Sequence, residues 1–181
     1  MIRVVLTGPE CTGKSTLAVQ LARHYNTICI PEYAREYVSA LSRPYTYSDV
    51  EQIAVTQVRQ KDEFSAVANK ILFLDTYLII TKVWFDVVFH RCPGWIKEEL
   101  SRNEIQLYLL CNTDIPWEPD PVRENGGSRR EYLLELYKKE LETWGCPYRI
   151  VSGTGETRLK NAILLLENFI QTDRKLINNQ K

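Results

Sequence analysis

The stretch Gly8 to Thr16, reading GPECTGKST, constrains this chain more than any other. It completes the pattern GxxxxGK[ST], with Gly8, Gly13, Lys14 and Ser15 at the required places. Glycine lets the backbone turn so that successive N–H groups point inward and cradle phosphate oxygens. Lys14 brings a point charge for the β- and γ-phosphates, and Ser15 brings a hydroxyl for Mg²⁺. Pro9, Glu10, Cys11 and Thr12 complete the turn and Thr16 follows it, so the whole stretch is read as an ATP-binding loop. Its context is the one the mechanism requires. Ile2 to Leu6 is a short β-branched and apolar strand ahead of it, and Leu17, Leu21 and Tyr25 repeat at helical spacing behind it. The dipole of that helix favours an anion at its start.

From there the pattern alternates strand and helix to the end, which predicts an α/β fold with a parallel sheet covered on both faces. Five strands are expected, at Ile2–Leu6, Thr27–Ile30, Ile71–Leu74, Ile105–Leu110 and Tyr148–Val151. Helices are expected over Tyr33–Leu41, from a Ser48/Glu51 capping box to about Val67, and over Tyr77–Phe89. Others run from Pro93-Gly94 to about Arg102, from a Ser128/Glu131 capping box to Trp144, and over Gly155–Ile170. At 181 residues the length predicts one domain, over 1–172, ending in a polar tail at 173–181. The Pro- and Gly-rich segment at about 112–130 is long for a plain connection and is read as a mobile lid.

Charge narrows the function. Lys plus Arg and Asp plus Glu are 23 each, so no global field draws the molecule to nucleic acid or an anionic membrane. The longest apolar stretch, Ile71 to Phe89, contains Asp75, Lys82 and Asp86 and is no membrane span. The five cysteines are odd in number and scattered without a CxxC pair, as in a cytoplasmic protein with reduced thiols. Nothing before the phosphate loop reads as a signal peptide. Oligomeric state is left open.

Several side chains outside the loop carry chemistry. Asp75 ends an apolar strand, where a carboxylate in such folds holds the Mg²⁺ that Ser15 also touches; it would also serve as an acceptor-site carboxylate or a cap for the next helix. Glu32, Arg35 and Glu36 lie at i, i+3 and i+4, at the sheet edge where parallel folds bind ligands. A carboxylate there takes the proton of an attacking hydroxyl and an arginine orients the acceptor; the plain alternative is an exposed charge cluster. Arg123, Arg129 and Arg130 sit in or just after the Pro/Gly segment, where closing would bring charge onto a phosphoryl group. Tyr33, Tyr37, Tyr45, Tyr47, Trp84 and Trp117 offer ring faces for a heteroaromatic base. His24 and His90 have no partners at a suggestive spacing.

The loop at Gly8 to Thr16, the stretch Glu32-Tyr33-x-Arg35-Glu36-Tyr37-Val38, the strand ending Leu74-Asp75-Thr76, and Trp117-x-x-Asp120-x-x-Arg123 before a helix together resemble the kinase domain of the NadR-type ribosylnicotinamide kinases. The resemblance spans roughly Ile2 to Ile170. It implies a nucleoside-kinase-like P-loop NTPase fold and transfer of the ATP γ-phosphate to the 5′-hydroxyl of nicotinamide riboside, giving nicotinamide mononucleotide. Lys14, Glu32, Asp75 and Arg123 are then the catalytic candidates. Gly8 to Thr16 with Arg129 and Arg130 would bind ATP; Glu32, Tyr33, Arg35, Glu36, Asp75 and Trp117 would bind the nucleoside. Ser15 and Asp75 would hold Mg²⁺. Pro31 stands where some relatives place a ring-stacking tryptophan. The chain has no HxGH adenylyltransferase signature, so on its own it is not expected to make NAD. The rival readings are a kinase for another nucleoside and a regulatory ATPase acting on a protein partner. The second would usually carry a glutamate after the strand-end aspartate, where this chain has Thr76.

Overall fold

In the computed structural model of the chain, residues 1–119 and 126–178 are described. The five expected strands form one parallel sheet in the order β2-β3-β1-β4-β5. They are β1 (Ile2–Thr7), β2 (Ile28–Ile30), β3 (Ile71–Asp75), β4 (Leu107–Cys111) and β5 (Tyr148–Val151). The helices are α1 (Lys14–His24), α2 (Tyr33–Ser39), α3 (Tyr47–Ser65), α4 (Leu78–Trp84), α5 (Gly94–Ser101), α6 (Ser128–Thr143) and α7 (Gly155–Asn178).

Strand alternation sorts the core into two layers. Val4, Leu6, Phe73, Leu107 and Leu109 face one side and pack with Leu17 and Leu21 of α1 and Ala162 and Leu166 of α7. Val5, Leu72, Leu74, Tyr108 and Leu110 face the other, against residues of α3 to α6. Burial on both faces explains why the strands read as continuous apolar runs.

Helix starts differ from the expected ones at two places. The first capping box is Thr46 with Asp49, not Ser48 with Glu51: the Thr46 hydroxyl accepts from the Asp49 N–H, and the Asp49 carboxylate accepts from the Thr46 N–H at 2.7 Å. Two ties from outside α3 decide this. Arg43 pairs with Asp49 at 2.7 Å and the Tyr37 hydroxyl donates to it at 3.0 Å, so Asp49 holds α2, the connecting loop and α3 together. At α6 the cap is Gly127, at φ 57°, with no side-chain cap; Ser128 is already inside the helix, so Ser128 and Glu131 form no box.

Two helices run on differently than expected. After α4 the backbone widens into a π-helical turn, Phe85–Phe89, ending at His90 with φ 53°. Within it Phe85 and Phe89 pack on Tyr47 with ring centroids 4.7 and 5.5 Å apart. At the other end of the chain α7 continues to Asn178, beyond Ile170, because no Gly or Pro follows to stop it. No helix among the described residues is long and apolar enough to cross a membrane.

Candidate functional site

The phosphate loop leaves the C-terminal end of central strand β1 and enters α1 through Gly13, which caps the helix in the left-handed region at φ 72°. Gly8 is required by crowding: at φ 132°, a β-carbon there would lie 2.7 Å from the Cys111 carbonyl oxygen. Inside the loop the Thr12 hydroxyl and the Lys14 ammonium each donate to the Pro9 carbonyl at 2.8 Å. The loop therefore carries its own bracing, with Lys14 only 8% exposed beside it.

Asp75 is placed against this loop by the sheet. It is the register partner of Leu6, and the Ser15 side chain is near enough to draw its carboxyl pKa down. Burial pushes the Asp75 carboxyl above the usual range, against the opposing pull of Ser15 and Lys14. Its Oδ1 is buried with no hydrogen-bond partner. An orphaned carboxylate oxygen beside a hydroxyl is a fitting donor pair for Mg²⁺. Among the described residues no group of three or more His, Cys, Asp or Glu could cage a metal unaided. A cation here would rest on Ser15, Asp75 and phosphate oxygens.

Beyond the loop a cavity of about 900 Å³ runs between α2, α4, the π-helical turn and α6. Its polar end is Gly8, Glu10 to Thr16, Glu32, Arg35 and Arg129. The rest of its lining is mostly apolar and aromatic, with Val38, Leu41, Tyr45, Val83, Trp84 and Val87 joined by Ser39 and Arg43. The Tyr45 and Trp84 rings meet edge to face with centroids 4.8 Å apart. Glu32, the residue before α2, lines the cavity within reach of the charges of Lys14, Asp75, Arg35 and Glu10. Burial raises its carboxyl above the ordinary value, with Asp75 and Glu10 adding to the rise and Lys14 and Arg35 opposing it.

The sequence-derived residues do not all gather here. Gly8, Glu10 to Thr16, Glu32, Arg35 and Arg129 line the cavity; Pro9, Tyr33, Glu36, Asp75, Trp117 and Arg130 do not, Asp75 lying buried behind the loop. Arg130 is buried, and its Nη2 donates to the carbonyls of Cys11 at 3.1 Å and Ile115 at 2.9 Å. The Cys11 thiol adds to the same seam, donating to the Pro116 carbonyl at 3.4 Å and accepting from the Glu118 N–H at 3.3 Å. The Trp117 ring packs against Gly126. Arg123 lies outside the described residues.

Sequence reasoning missed the α6 wall. Leu133 and Tyr137 line the cavity with Arg129, and their spacing of four along a helix was a readable signal. Tyr137 is buried, and burial raises its hydroxyl, with the charges of Glu10 and Glu32 adding to the rise. Trp84 of α4 was singled out in the sequence, whereas Ile80, Val83, Val87 and Val88 beside it were missed.

Comparison with known proteins gives a consistent picture. A protein family described as an AAA domain matches residues 3–158. The trifunctional NAD biosynthesis/regulator protein NadR of Salmonella typhimurium strain LT2 is 30% identical over 145 residues, covering 75% of this chain and 35% of that protein. Its Escherichia coli K12 counterpart is 32% identical over 145 residues with the same coverage. The chain thus spans about a third of the length of these curated relatives. A crystal structure of a NadR protein in complex with NR superposes with TM-score 0.78 at 23% identity, covering 93% of this chain and 50% of that one. A deoxyadenosine kinase from M. mycoides, solved with dCMP and dCDP, superposes with TM-score 0.64 at 11% identity, covering 92% of this chain and 100% of that one. The structural likenesses establish a nucleoside-kinase-like P-loop fold.

Proposed function

Given that the chain belongs to the AAA-domain family, whose match covers most of its length, we propose that it is a small-molecule kinase that transfers the ATP γ-phosphate to the 5′-hydroxyl of nicotinamide riboside, giving nicotinamide mononucleotide. The observation that carries this reading is the shape of the cavity: one compartment joins the phosphate loop, a carboxylate–arginine pair and an aromatic recess. A nucleoside laid along it puts its base in the recess and its sugar hydroxyl at Glu32. The name and NR complex of the NadR relatives support nicotinamide riboside as the occupant.

In this reading the backbone N–H groups of Gly8 to Thr16 and the Lys14 ammonium bind the triphosphate. A bound Mg²⁺ would neutralise phosphate charge during transfer, held from the protein side by Ser15 and Asp75. Glu32 accepts the proton of the 5′-hydroxyl as that oxygen bonds to the γ-phosphorus and the bridge to the β-phosphate breaks. Its raised carboxyl pKa makes it a stronger base than a solvent-exposed glutamate. Arg35 orients the acceptor and Arg129, at the start of α6, faces the phosphoryl group.

A panel of nucleosides offered with MgATP, read as ADP release, tests this. Nicotinamide riboside should stimulate release above every purine and pyrimidine nucleoside. Stimulation by a deoxynucleoside instead would reassign the acceptor. Hydrolysis raised by a protein partner and by no nucleoside would overturn the kinase reading.

A further inference from the structure

We infer that Gln57, on α3, is a positioning residue for the Asp75 carboxylate, acting through Thr76 and Thr81. The inference rests on the reading of Asp75 with Ser15 as the protein side of a metal–nucleotide site.

The starting observation is Thr76. It directly follows Asp75 and has φ 73°, the left-handed region that a β-branched residue rarely enters. Such a conformation persists only where the surroundings impose it, and these sites cluster where a functional group must be aimed. Two contacts impose it here. The Thr76 N–H donates to the Leu6 carbonyl at 3.1 Å, tying the turn to β1 just ahead of the phosphate loop. The Thr76 hydroxyl accepts from Gln57 Nε2 at 3.3 Å, and Gln57 Oε1 in turn accepts from the Thr81 hydroxyl at 2.8 Å. The amide thus bridges the turn after β3 to the first turns of α4.

Burial makes this chain of bonds consequential. Gln57 is 6% exposed, Thr76 4% and Thr81 1%, so water does not readily replace a lost partner. None of the three lines the cavity. The Asp75 carboxylate itself has little to fix its direction: its buried Oδ1 has no hydrogen-bond partner. Its aim therefore depends on the backbone of the Asp75-Thr76 turn, and the only side-chain hydrogen bond on that turn's threonine among the described residues comes from Gln57.

Calorimetry of ADP binding to the full chain, with and without Mg²⁺, tests the inference. Gln57→Met keeps length and apolar packing, and Thr76→Val keeps the branched shape while removing the hydroxyl. In both, the tightening of ADP binding by Mg²⁺ should fall about tenfold relative to wild type, the scale of lost outer-shell support. Metal-free ADP affinity should stay at the wild-type value, and Thr76→Ser should restore the Mg²⁺ effect. If Gln57→Met does not fold, the comparison of Thr76→Val with Thr76→Ser carries the test alone. Wild-type Mg²⁺ tightening in the valine and methionine variants, alongside its loss in Asp75→Asn, would overturn the positioning role and leave the metal reading intact. Full tightening in Asp75→Asn would remove the metal reading and this inference with it.

Discussion

Asp75 and Leu6 face each other across the β1–β3 ladder, and this pairing brings the carboxylate to the root of the phosphate loop. The sheet, not the loop, sets that distance. A chain that kept the loop but slipped β3 by one residue would turn Asp75 to the other face of the sheet.

Removing the Lys14 charge should abolish transfer without unfolding the chain. Lys14→Met is expected to lower kcat/KM for ATP by about 10³-fold, the upper range for loss of one preorganised electrostatic group. Steady-state ADP release and a far-UV spectrum taken together check it.

Glu32 should limit activity on the acid side. Because burial raises its carboxyl above the usual glutamate value of about 4.3, the acid limb of the kcat/KM profile should lie above that pH. Stability has the opposite sign. A raised folded-state pKa favours folding below the unfolded pKa, and that advantage is lost as pH rises through the folded value. Glu32→Gln should therefore raise Tm at pH 7, show no such gain near pH 4, and eliminate turnover. Thermal melts at the two pH values and the rate profile check both halves.

Asp49 should carry stability with the reverse dependence. Arg43 and the two Thr46 donors hold its carboxyl well below the usual range. That contribution is present above the unfolded pKa of about 3.9 and fades as pH falls through the lower folded value. Urea midpoints should show Asp49→Asn destabilised at pH 7, with the deficit shrinking in acid. Thr46→Ala, which removes the cap hydroxyl, should cost about 1 kcal/mol.

Trp84 should govern the acceptor alone. It lines the recess that the proposed function assigns to the base. Trp84→Ala should raise KM for the nucleoside about tenfold, as expected for losing one stacking surface, with KM for ATP unchanged. Varying each substrate at saturating levels of the other separates the two.

Much of this was legible in the residues. The loop motif, the strand ending in Asp75 and the continuous apolar runs dictated a two-sided parallel sheet, and that sheet is present. What escaped depends on contacts distant in sequence. Thr46/Asp49 and Ser48/Glu51 both match a capping pattern, and only Arg43 and Tyr37, from outside α3, favour the first. Arg130 read as a phosphate-contact candidate, yet its guanidinium binds the Cys11 and Ile115 carbonyls, a pairing that spacing could not reveal. The left-handed Thr76 was unreadable because propensity argues against it.

The central claim is tested most directly by following the γ-phosphate. With ATP labelled at that group and nicotinamide riboside present, the label should appear in nicotinamide mononucleotide, one per ADP formed, and should vanish with Lys14→Met. Label appearing only as inorganic phosphate, at a rate indifferent to the nucleoside, would contradict it.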